Sequence, residues 1–217
     1  MELWAIIPVK PFGLGKSRLA GLLGAAERAA LNRELFERVF AAARCELGHD
    51  RIIVVTADAA LLAEVRHNRA HAVAERSTGD LNAALAQASG YASERGAAAV
   101  LVLPSDLPEV TAKDVAALRA AIAPPPSCVI APDTWEQGTN ALALSPPSAD
   151  FFRFGAKSFA THAVLAKARG FTTRVLRRPG LARDLDTPED YRRFADRRRG
   201  AAALNSDTVR LPSTASP

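Results

Sequence analysis

The N-terminal stretch LWAIIPVKPFGLGKSRLA, residues 3–20, joins a buried-strand pattern to a basic loop that contains two glycines. Its first seven residues are apolar, and a long helical pattern follows the loop. In α/β proteins, ligands bind in loops at the carboxyl ends of strands. The stretch therefore predicts an α/β fold with a ligand-binding loop after the first strand.

This loop is close to two phosphate-binding motifs but matches neither. In the P-loop pattern G-x-x-x-x-G-K-[ST], the first glycine is replaced here by Lys10. The dinucleotide-binding pattern G-x-G-x-x-G fails because Arg18 stands where the third glycine belongs. Lys16 adds another cation beside Gly15. Two interpretations stay open: a solvated basic turn, and a phosphate-binding loop in which cations supplement backbone amides.

Strand and helix patterns alternate along the rest of the chain, which predicts a mainly parallel sheet covered by helices. Strand patterns include RIIVVTAD, AAAVLVLPSDLP and PPPSCVIAPD. The last helix, TPEDYRRFADRRR, begins at the N-cap Thr187. We expect one domain over residues 1–199 and a polar, disordered tail over residues 200–217.

The composition predicts a cytoplasmic protein. Hydrophobic residues at 48% and charged residues at 24% are typical of a globular domain, and the sequence contains neither a membrane-span pattern nor a secretory signal. Cys45 and Cys128 lack a C-x-x-C spacing and have apolar neighbours, so we expect both in the core. The net charge of +5 favours acidic ligands such as nucleotides, phosphorylated metabolites or nucleic acid.

Three acidic residues follow predicted strands. Asp106 comes directly after VLVLP, and Asp184 and Asp186 stand two positions apart in ARDLDTPED. If that segment is extended, both carboxylates share one face. Neighbouring like charges need a cation, so this D-x-D pattern is typical of a magnesium site. The alternatives are a helix cap for Asp106 and an ordinary loop for the pair.

Weaker patterns precede other predicted elements. Gly138-Thr139-Asn140 suits either a tight turn or an oxyanion pocket, and Gly79–Asn82 suits either a nucleotide contact or a plain capped helix. Ser158 begins a predicted helix, where it would be either a ligand contact or an N-cap. The four histidines show no metal-ligand spacing, and His162 is the first of them that we would expect to have a role.

Six motifs together resemble a known family. In order they are PVKPFGLGKSRLA, GDLNAAL, PSDLP, PDTWEQGTNAL, FGAKSFATH and DLDTPED. They resemble the 2-phospho-L-lactate guanylyltransferase family of coenzyme F-420 biosynthesis, from about Leu3 to about Phe194. The resemblance implies an α/β, Rossmann-like nucleotidyltransferase sandwich of the GT-A type with a mainly parallel central sheet. It also implies transfer of GMP from GTP to 2-phospho-L-lactate, phosphoenolpyruvate or 3-phospho-D-glycerate, with release of pyrophosphate.

By motif position, the resemblance assigns site residues. It implies that the N-terminal loop binds the GTP phosphates, and we expect Lys10, Gly15, Lys16 and Arg18 to make these contacts. We also expect Gly79 and Asn82 to face the base or the ribose of GTP. The resemblance implies that Mg²⁺ is held by Asp106, Asp184 and Asp186, and that the acceptor acid is bound by Thr139, Gly155 and Ser158. Lys16 and Asp106 are the expected catalytic residues.

The expected partners are GTP, a small phosphorylated carboxylic acid and a downstream transferase that receives the product; a homodimer stays open, and neither nucleic acid nor a membrane is expected. One alternative is another nucleotidyltransferase of the same fold that uses CTP or a sugar phosphate. The other is a non-catalytic nucleic-acid binder built on the basic C-terminal helix. An aromatic content of 6% argues against that binder, because single-stranded nucleic acid is usually bound by aromatic stacking.

Overall fold

The computed structural model describes residues 2–77 and 79–207, the last seven of these in their backbone only. Seven strands are described: β1 Leu3–Pro8, β2 Ile52–Thr56, β3 His71–Ala74, β4 Ala99–Val102, β5 Ser127–Pro132, β6 Thr139–Ser145 and β7 Thr172–Val175. The described α-helices are α1 Ala25–Leu47, α2 Ala59–His67, α3 Leu81–Ser93, α4 Ala112–Ala121, α5 Ser158–Ala168 and α6 Pro188–Asp207. The molecule is therefore α/β, as predicted.

All seven strands form one sheet in the order β3-β2-β1-β4-β6-β5-β7. The pairs β1–β2, β1–β4, β2–β3 and β5–β7 are parallel, whereas β6 runs antiparallel to β4 and β5. The prediction of a mainly parallel sheet is confirmed. Because β1, β2, β3 and β4 are parallel, the segments that follow them meet at one edge of the sheet.

The core lies on both faces of the sheet, and β1 shows why. Its alternate residues Leu3, Ala5 and Ile7 belong to a buried cluster with side chains of α1, α2 and α4. Trp4 and Ile6 belong to a second cluster with side chains of α3 and α5. Successive strand residues point to opposite faces, so a strand covered by helices on both sides is apolar throughout.

A third, smaller cluster fastens the N-terminal loop to the C-terminal part of the chain. Leu19 from the loop, Leu31 and Leu35 from α1, and Leu185 and Phe194 from the C-terminal region are buried together. Leu185 lies between the two acidic residues of the D-x-D pattern. This cluster therefore places the D-x-D segment beside the basic loop.

Helix α6 is longer than predicted. It continues to Asp207 instead of ending at residue 199, because Gly200 is followed by three alanines, and alanine has the highest helix propensity. The predicted boundary between the domain and the tail therefore falls within a helix. Residues 208–217 of the predicted disordered tail lie outside the described residues, and their disorder remains a prediction.

The expectation for the cysteines is half wrong. Cys128 is buried in β5, and burial raises the pKa of its thiol to about 12. Cys45 is exposed, because the period of α1 turns its neighbours Ala42, Ala43 and Leu47 toward the core and leaves position 45 outside. In the described part of the chain, no helix is both long and apolar enough to cross a bilayer.

Candidate active site

A cavity of about 630 Å³ opens at the carboxyl ends of β1–β4. Its walls come from the N-terminal loop, the end of β3, the first turns of α3 and the segment after β4. Five residues expected to bind GTP line it: Lys10, Gly15, Lys16, Arg18 and Gly79. Asp106 and Asp186 line it as well. The fold thus brings cations and carboxylates from distant parts of the sequence into one cavity.

The basic loop is held against α1 by close packing. It forms two short 3-10 turns, Phe12–Leu14 and Ser17–Leu19. The side chain of Asn32 donates a hydrogen bond from Nδ2 to the Phe12 carbonyl, at 2.7 Å. A Cβ atom on Gly15 would lie 2.5 Å from the same nitrogen. Gly15 is therefore required for this packing, in addition to lining the cavity.

Lys16 has an unusual backbone and a buried side chain. Its φ of 57° and ψ of 38° are left-handed, a conformation that non-glycine residues adopt rarely and at a cost. Its side chain is 6% exposed, and Nζ lies 2.8 Å from Asp106 Oδ2 and 3.9 Å from Asp186 Oδ1. A buried ammonium group needs such partners to offset its desolvation.

A backbone hydrogen bond brings the three acids together. The Leu185 N–H donates to the Asp106 carbonyl at 3.0 Å. Leu185 is buried in the small cluster, and that both flanking carboxylates share one face stays a prediction of the D-x-D spacing. Burial, reinforced by the nearby Asp106 carboxylate, raises the pKa of Asp184, while Lys16 acts in the opposite direction.

The segment before the D-x-D pattern is held by polar side chains from β6 and from the loop that precedes it. Asn140 donates from Nδ2 to the Leu181 carbonyl at 2.9 Å, and Thr134 donates from Oγ1 to the Ala182 carbonyl at 2.8 Å. The structure thus gives the Asn140 side chain a positioning role rather than a place in an oxyanion pocket.

The carboxylates suit a divalent cation, although protein cations neutralise them here. Among the residues that the structure describes, no three His, Cys, Asp or Glu side chains are arranged as a metal-binding group. Lys16 lies between Asp106 and Asp186, and Arg18 approaches Asp186 Oδ2 to 2.7 Å. Carboxylate oxygens are the ligands that Mg²⁺ prefers, and a divalent cation would also relieve the repulsion from Asp106, which adds to burial in raising the pKa of Asp184. The donor set therefore fits Mg²⁺.

A buried histidine of α5 contacts Thr139, one of the residues expected to bind the acceptor. His162 Nε2 accepts the Arg153 N–H at 2.9 Å, so the proton of the neutral ring is on Nδ1, which lies 3.0 Å from Thr139 Oγ1. The ring is fully buried beside Phe151 and Phe154, and burial lowers its pKa to about 4. Sequence reasoning gave His162 no defined role, because its partners are distant along the chain.

Ser158 is not an N-cap. The N-cap of α5 is Lys157, with a left-handed φ of 57°, and Ser158 is the first helical residue. Gly155 has a φ of +141°, which L side chains rarely adopt. The Phe159 N–H donates to the Gln137 carbonyl at 3.3 Å, which joins the start of α5 to the loop before Thr139. The structure thus brings Thr139, Gly155 and Ser158 to the same end of α5.

Asn82 has a different partner from the one expected. Its Nδ2 donates to the Phe154 carbonyl at 3.0 Å, and its Oδ1 accepts the Phe154 N–H at 2.7 Å. In the described structure Asn82 lies off the cavity wall, whereas Phe154 lines the cavity. The amide of Asn82 therefore positions Phe154, and its direct contact with GTP stays a prediction.

The arginines of α6 are largely engaged within the protein. Four of them form ion pairs: Arg193 with Glu189, Arg197 with Glu109, Arg198 with Glu34, and Arg199 with Asp196. These contacts leave less free positive charge on the helix than its sequence indicates. The alternative of a nucleic-acid binder rests on the positive charge of this helix, and the ion pairs weaken that argument.

The fold is that of known nucleotidyltransferases. A nucleotidyl transferase from Methanothermobacter superposes with a TM-score of 0.63 at 16% identity, over 92% of this chain and 99% of that chain. CMP:2-keto-3-deoxy-manno-octonic acid synthetase, complexed with CTP, superposes with a TM-score of 0.60 at 15% identity. The superposition covers 92% of this chain and 100% of the synthetase chain. The chain therefore shares the fold of these nucleotidyltransferases and places cations and carboxylates at the carboxyl ends of its strands.

The sequence comparison narrows this class to a family. The model of the family described as "Guanylyl transferase CofC like" matches residues 3–195, and the chain belongs to this family. Phosphoenolpyruvate guanylyltransferase from Rubrobacter xylanophilus is 44% identical over 89% of this chain and 94% of that protein. The protein of the same name from Chloroflexus aggregans is 41% identical over 90% of this chain and 98% of that protein. A 3-phospho-D-glycerate guanylyltransferase from Colwellia psychrerythraea is 28% identical over 88% of this chain and 90% of that protein.

We predict that the neutral His162 ring makes stability depend on pH. The pKa of His162 is about 4 in the folded protein and 6.5 in an unperturbed histidine. Between these pH values the unfolded state binds a proton that the folded state does not, so acidification lowers the free energy of unfolding by up to about 3 kcal/mol. His162→Gln lacks this dependence, so its stability deficit relative to the wild type narrows as the pH falls.

Urea denaturation at several pH values between 7 and 4 measures this difference. His67→Gln, which removes an exposed histidine from the end of α2, is the control and is expected to follow the wild type. Equal pH dependence of the wild type and His162→Gln would contradict the prediction.

Proposed function

We propose that this protein transfers GMP from GTP to a phosphorylated three-carbon acid, with release of pyrophosphate, in coenzyme F-420 biosynthesis. The observation that carries the proposal is the cavity where the basic loop meets Asp106 and Asp186 in a chain of this family. Among the three candidate acceptors we place phosphoenolpyruvate first, because the relatives at 44% and 41% identity carry that name. The relative named for 3-phospho-D-glycerate is less similar, at 28% identity.

The basic loop would bind the triphosphate. Lys10 is exposed at the cavity and forms no ion pair in the described structure, so its ammonium group is free to meet a phosphate. Arg18 is 71% exposed on its side chain and has guanidinium donors to spare beyond its contact with Asp186. Lys16 is held next to Asp106, where small movements would bring Nζ to a phosphate oxygen. Such fixed charges stabilise the charge that develops on the leaving pyrophosphate.

The reaction needs no strong base. An oxygen of the acceptor phosphate, already ionised at neutral pH, would attack the α-phosphorus of GTP while the bond from that phosphorus to the bridging oxygen of pyrophosphate breaks. Asp106, Asp184 and Asp186 would hold Mg²⁺, which neutralises phosphate charge when bound. The contribution of the chain is then chiefly to position the two substrates and to balance their charge.

The acceptor would lie at the start of α5. A helix N-terminus carries partial positive charge, which suits a phosphate or carboxylate. Ser158 is 2% exposed and its Oγ forms no hydrogen bond with the described residues, so it would donate to a ligand that is seated at this helix start. Gly155 allows close approach of the backbone, and the Thr139 hydroxyl, which accepts from His162, can donate to a ligand. We also propose a cytoplasmic location, a downstream transferase that receives the product, and a homodimer.

The first test is pyrophosphate release from GTP with each candidate acid and magnesium. We expect turnover with phosphoenolpyruvate, weaker turnover with 3-phospho-D-glycerate or 2-phospho-L-lactate, and none when the metal is chelated. CTP in place of GTP is the control for the alternative nucleotidyltransferases. Turnover with CTP and a sugar phosphate, but not with GTP and any of the three acids, would overturn the proposed function.

Lys16→Ala tests the basic loop. The variant loses a charged contact to the triphosphate, so kcat/KM for GTP should fall by the equivalent of about 2–4 kcal/mol. Because Lys16 would contact GTP both before and during the reaction, KM for GTP and kcat should both change. Lys113→Ala removes an exposed lysine of α4 away from the cavity and serves as the control. A change confined to KM of the acceptor would show that Lys16 does not bind the triphosphate.

Ser158→Ala tests the acceptor site. Because Ser158 is not an N-cap, its loss should change the melting temperature little. KM for the acceptor should rise roughly 10- to 100-fold, the scale of one hydrogen bond to a charged group. Thr161→Ala is a matched control: its hydroxyl, one turn further along α5, donates to the Lys157 carbonyl. Unchanged KM for all three acids would remove Ser158 from the site.

A further inference from the structure

One end of the cavity differs in chemistry from the end that holds Asp106 and Asp186. It is lined by apolar side chains from the ends of β1 and β2 and the first turns of α3, namely Pro8, Val55, Leu81, Ala84 and Leu85. A single carboxylate, that of Glu75, lines this apolar part. Leu81 is 39% exposed although it is a large apolar residue, so it offers a free flat surface. A planar aromatic ligand with hydrogen-bond donors on one edge fits such surroundings.

The strand order separates this end from the acids. Glu75 directly follows β3 and Asp106 follows β4, and β2 and β1 lie between these two strands. Three strand spacings of about 4.8 Å separate β3 from β4 by roughly 14 Å. The basic loop, which follows β1, lies between them. A nucleoside triphosphate bound with its phosphates at this loop and Asp106 can therefore direct its base toward Glu75.

The structure holds the backbone on both sides of Glu75 in place. Gln87 of α3 donates from Nε2 to the Ala74 carbonyl at 2.9 Å and accepts the Arg76 N–H on Oε1 at 3.2 Å. The Glu75 N–H donates to the Thr56 carbonyl at 3.0 Å. A carboxylate on a backbone fixed in this way can form directed hydrogen bonds with little loss of conformational freedom.

The side chain of Glu75 is also oriented. Its Oε1 accepts the Gly79 N–H at 3.0 Å, and the residue is half-buried. An ionised carboxylate has about four acceptor positions, so this one hydrogen bond leaves both oxygens able to accept from a ligand. The group is an acceptor only, which makes it selective for donors.

We propose that Glu75 recognises the guanine base of the nucleotide, accepting hydrogen bonds from N1–H and from the exocyclic 2-amino group. This inference rests on the proposed use of GTP and names the residue that makes the enzyme specific for it. Guanine presents these two donors side by side, which matches the two oxygens of a carboxylate. Adenine and cytosine present a ring nitrogen with a lone pair at the equivalent position, and the carboxylate repels it. Leu81, Ala84 and Leu85 cover one face of the base.

The sequence did not single out Glu75, because HAVAERSTGD has the composition of a surface turn after a short strand. Its place in the cavity depends on the pairing of β3 with β2. It also depends on the hydrogen bond from the Arg76 N–H to Gln87, which lies eleven residues further along the chain.

The test compares GTP with ITP, whose base lacks the 2-amino group but keeps N1–H. Equilibrium binding of both nucleotides, and kcat/KM with phosphoenolpyruvate, are measured for the wild type, Glu75→Gln and Glu75→Ala. We expect the wild type to prefer GTP over ITP roughly 10- to 100-fold, because an unpaired polar contact costs this much. In Glu75→Ala the ratio should approach one, and in both variants the affinity for GTP should fall at least tenfold.

Asp80→Asn is the matched control. It removes an exposed carboxylate five positions further on that caps α3 through Ala83 N–H, and asparagine keeps the capping acceptor. Its ratio of GTP to ITP affinity should equal that of the wild type. Melting curves show whether each variant is folded. If Glu75→Ala is not folded, the ratio of GTP to ITP affinity in Glu75→Gln decides whether Glu75 contacts the base.

The outcomes separate this inference from the proposed function. A wild-type ratio that persists in the folded Glu75 variants would overturn the role of Glu75 while leaving guanylyl transfer intact. A wild type that binds ITP as tightly as GTP would also overturn the proposed role of Glu75. If GTP is bound with a preference that the variants lose, but none of the three acids reacts, the base contact stands and the proposed acceptor reaction fails.

Discussion

Electrostatic repulsion among Asp106, Asp184 and Asp186 is the constraint on which the arrangement of the site depends. The Leu185–Asp106 backbone hydrogen bond and the burial of Leu185 bring the three carboxylates together, and burial of Asp184, reinforced by the nearby Asp106 carboxylate, raises the pKa of Asp184. Lys16 and Arg18 offset the repulsion from the opposite side of the cavity. Carboxylates gathered in this way bind a divalent cation readily, and cations held beside them can transfer their contacts to phosphates.

Side-chain amides hold the backbone segments that form the cavity and its surroundings. Asn32 fixes the basic loop, Asn82 fixes Phe154, Gln87 fixes the segment around Glu75, and Asn140 fixes the segment before the D-x-D pattern. An amide offers both a donor and an acceptor without carrying charge, so it can bind a backbone without changing the electrostatics of the cavity. The charged residues are thereby left for the ligands.

The neutral His162 performs a similar task beside Thr139. Its two ring nitrogens bind Arg153 N–H and Thr139 Oγ1, and burial keeps the ring uncharged well below neutral pH. A cation at this position would add positive charge behind Thr139, whereas the neutral ring only orients the hydroxyl. The site therefore combines charged groups that face the cavity with neutral polar groups that hold them.

The sequence by itself determined the α/β class, the mainly parallel sheet, most helix starts and the family, because apolar periodicity, caps and ordered motifs are local properties. It also indicated the basic loop and the D-x-D pair. Only the tertiary structure decided which partners these residues have. Lys16 meets Asp106 across 90 positions, Arg18 meets Asp186 across 168, and Asn82 meets Phe154 across 72. The exposure of Cys45 and the place of Glu75 in the cavity were decided in the same way. Such contacts depend on strand order and on which face of an element meets its neighbour, and no local pattern encodes either.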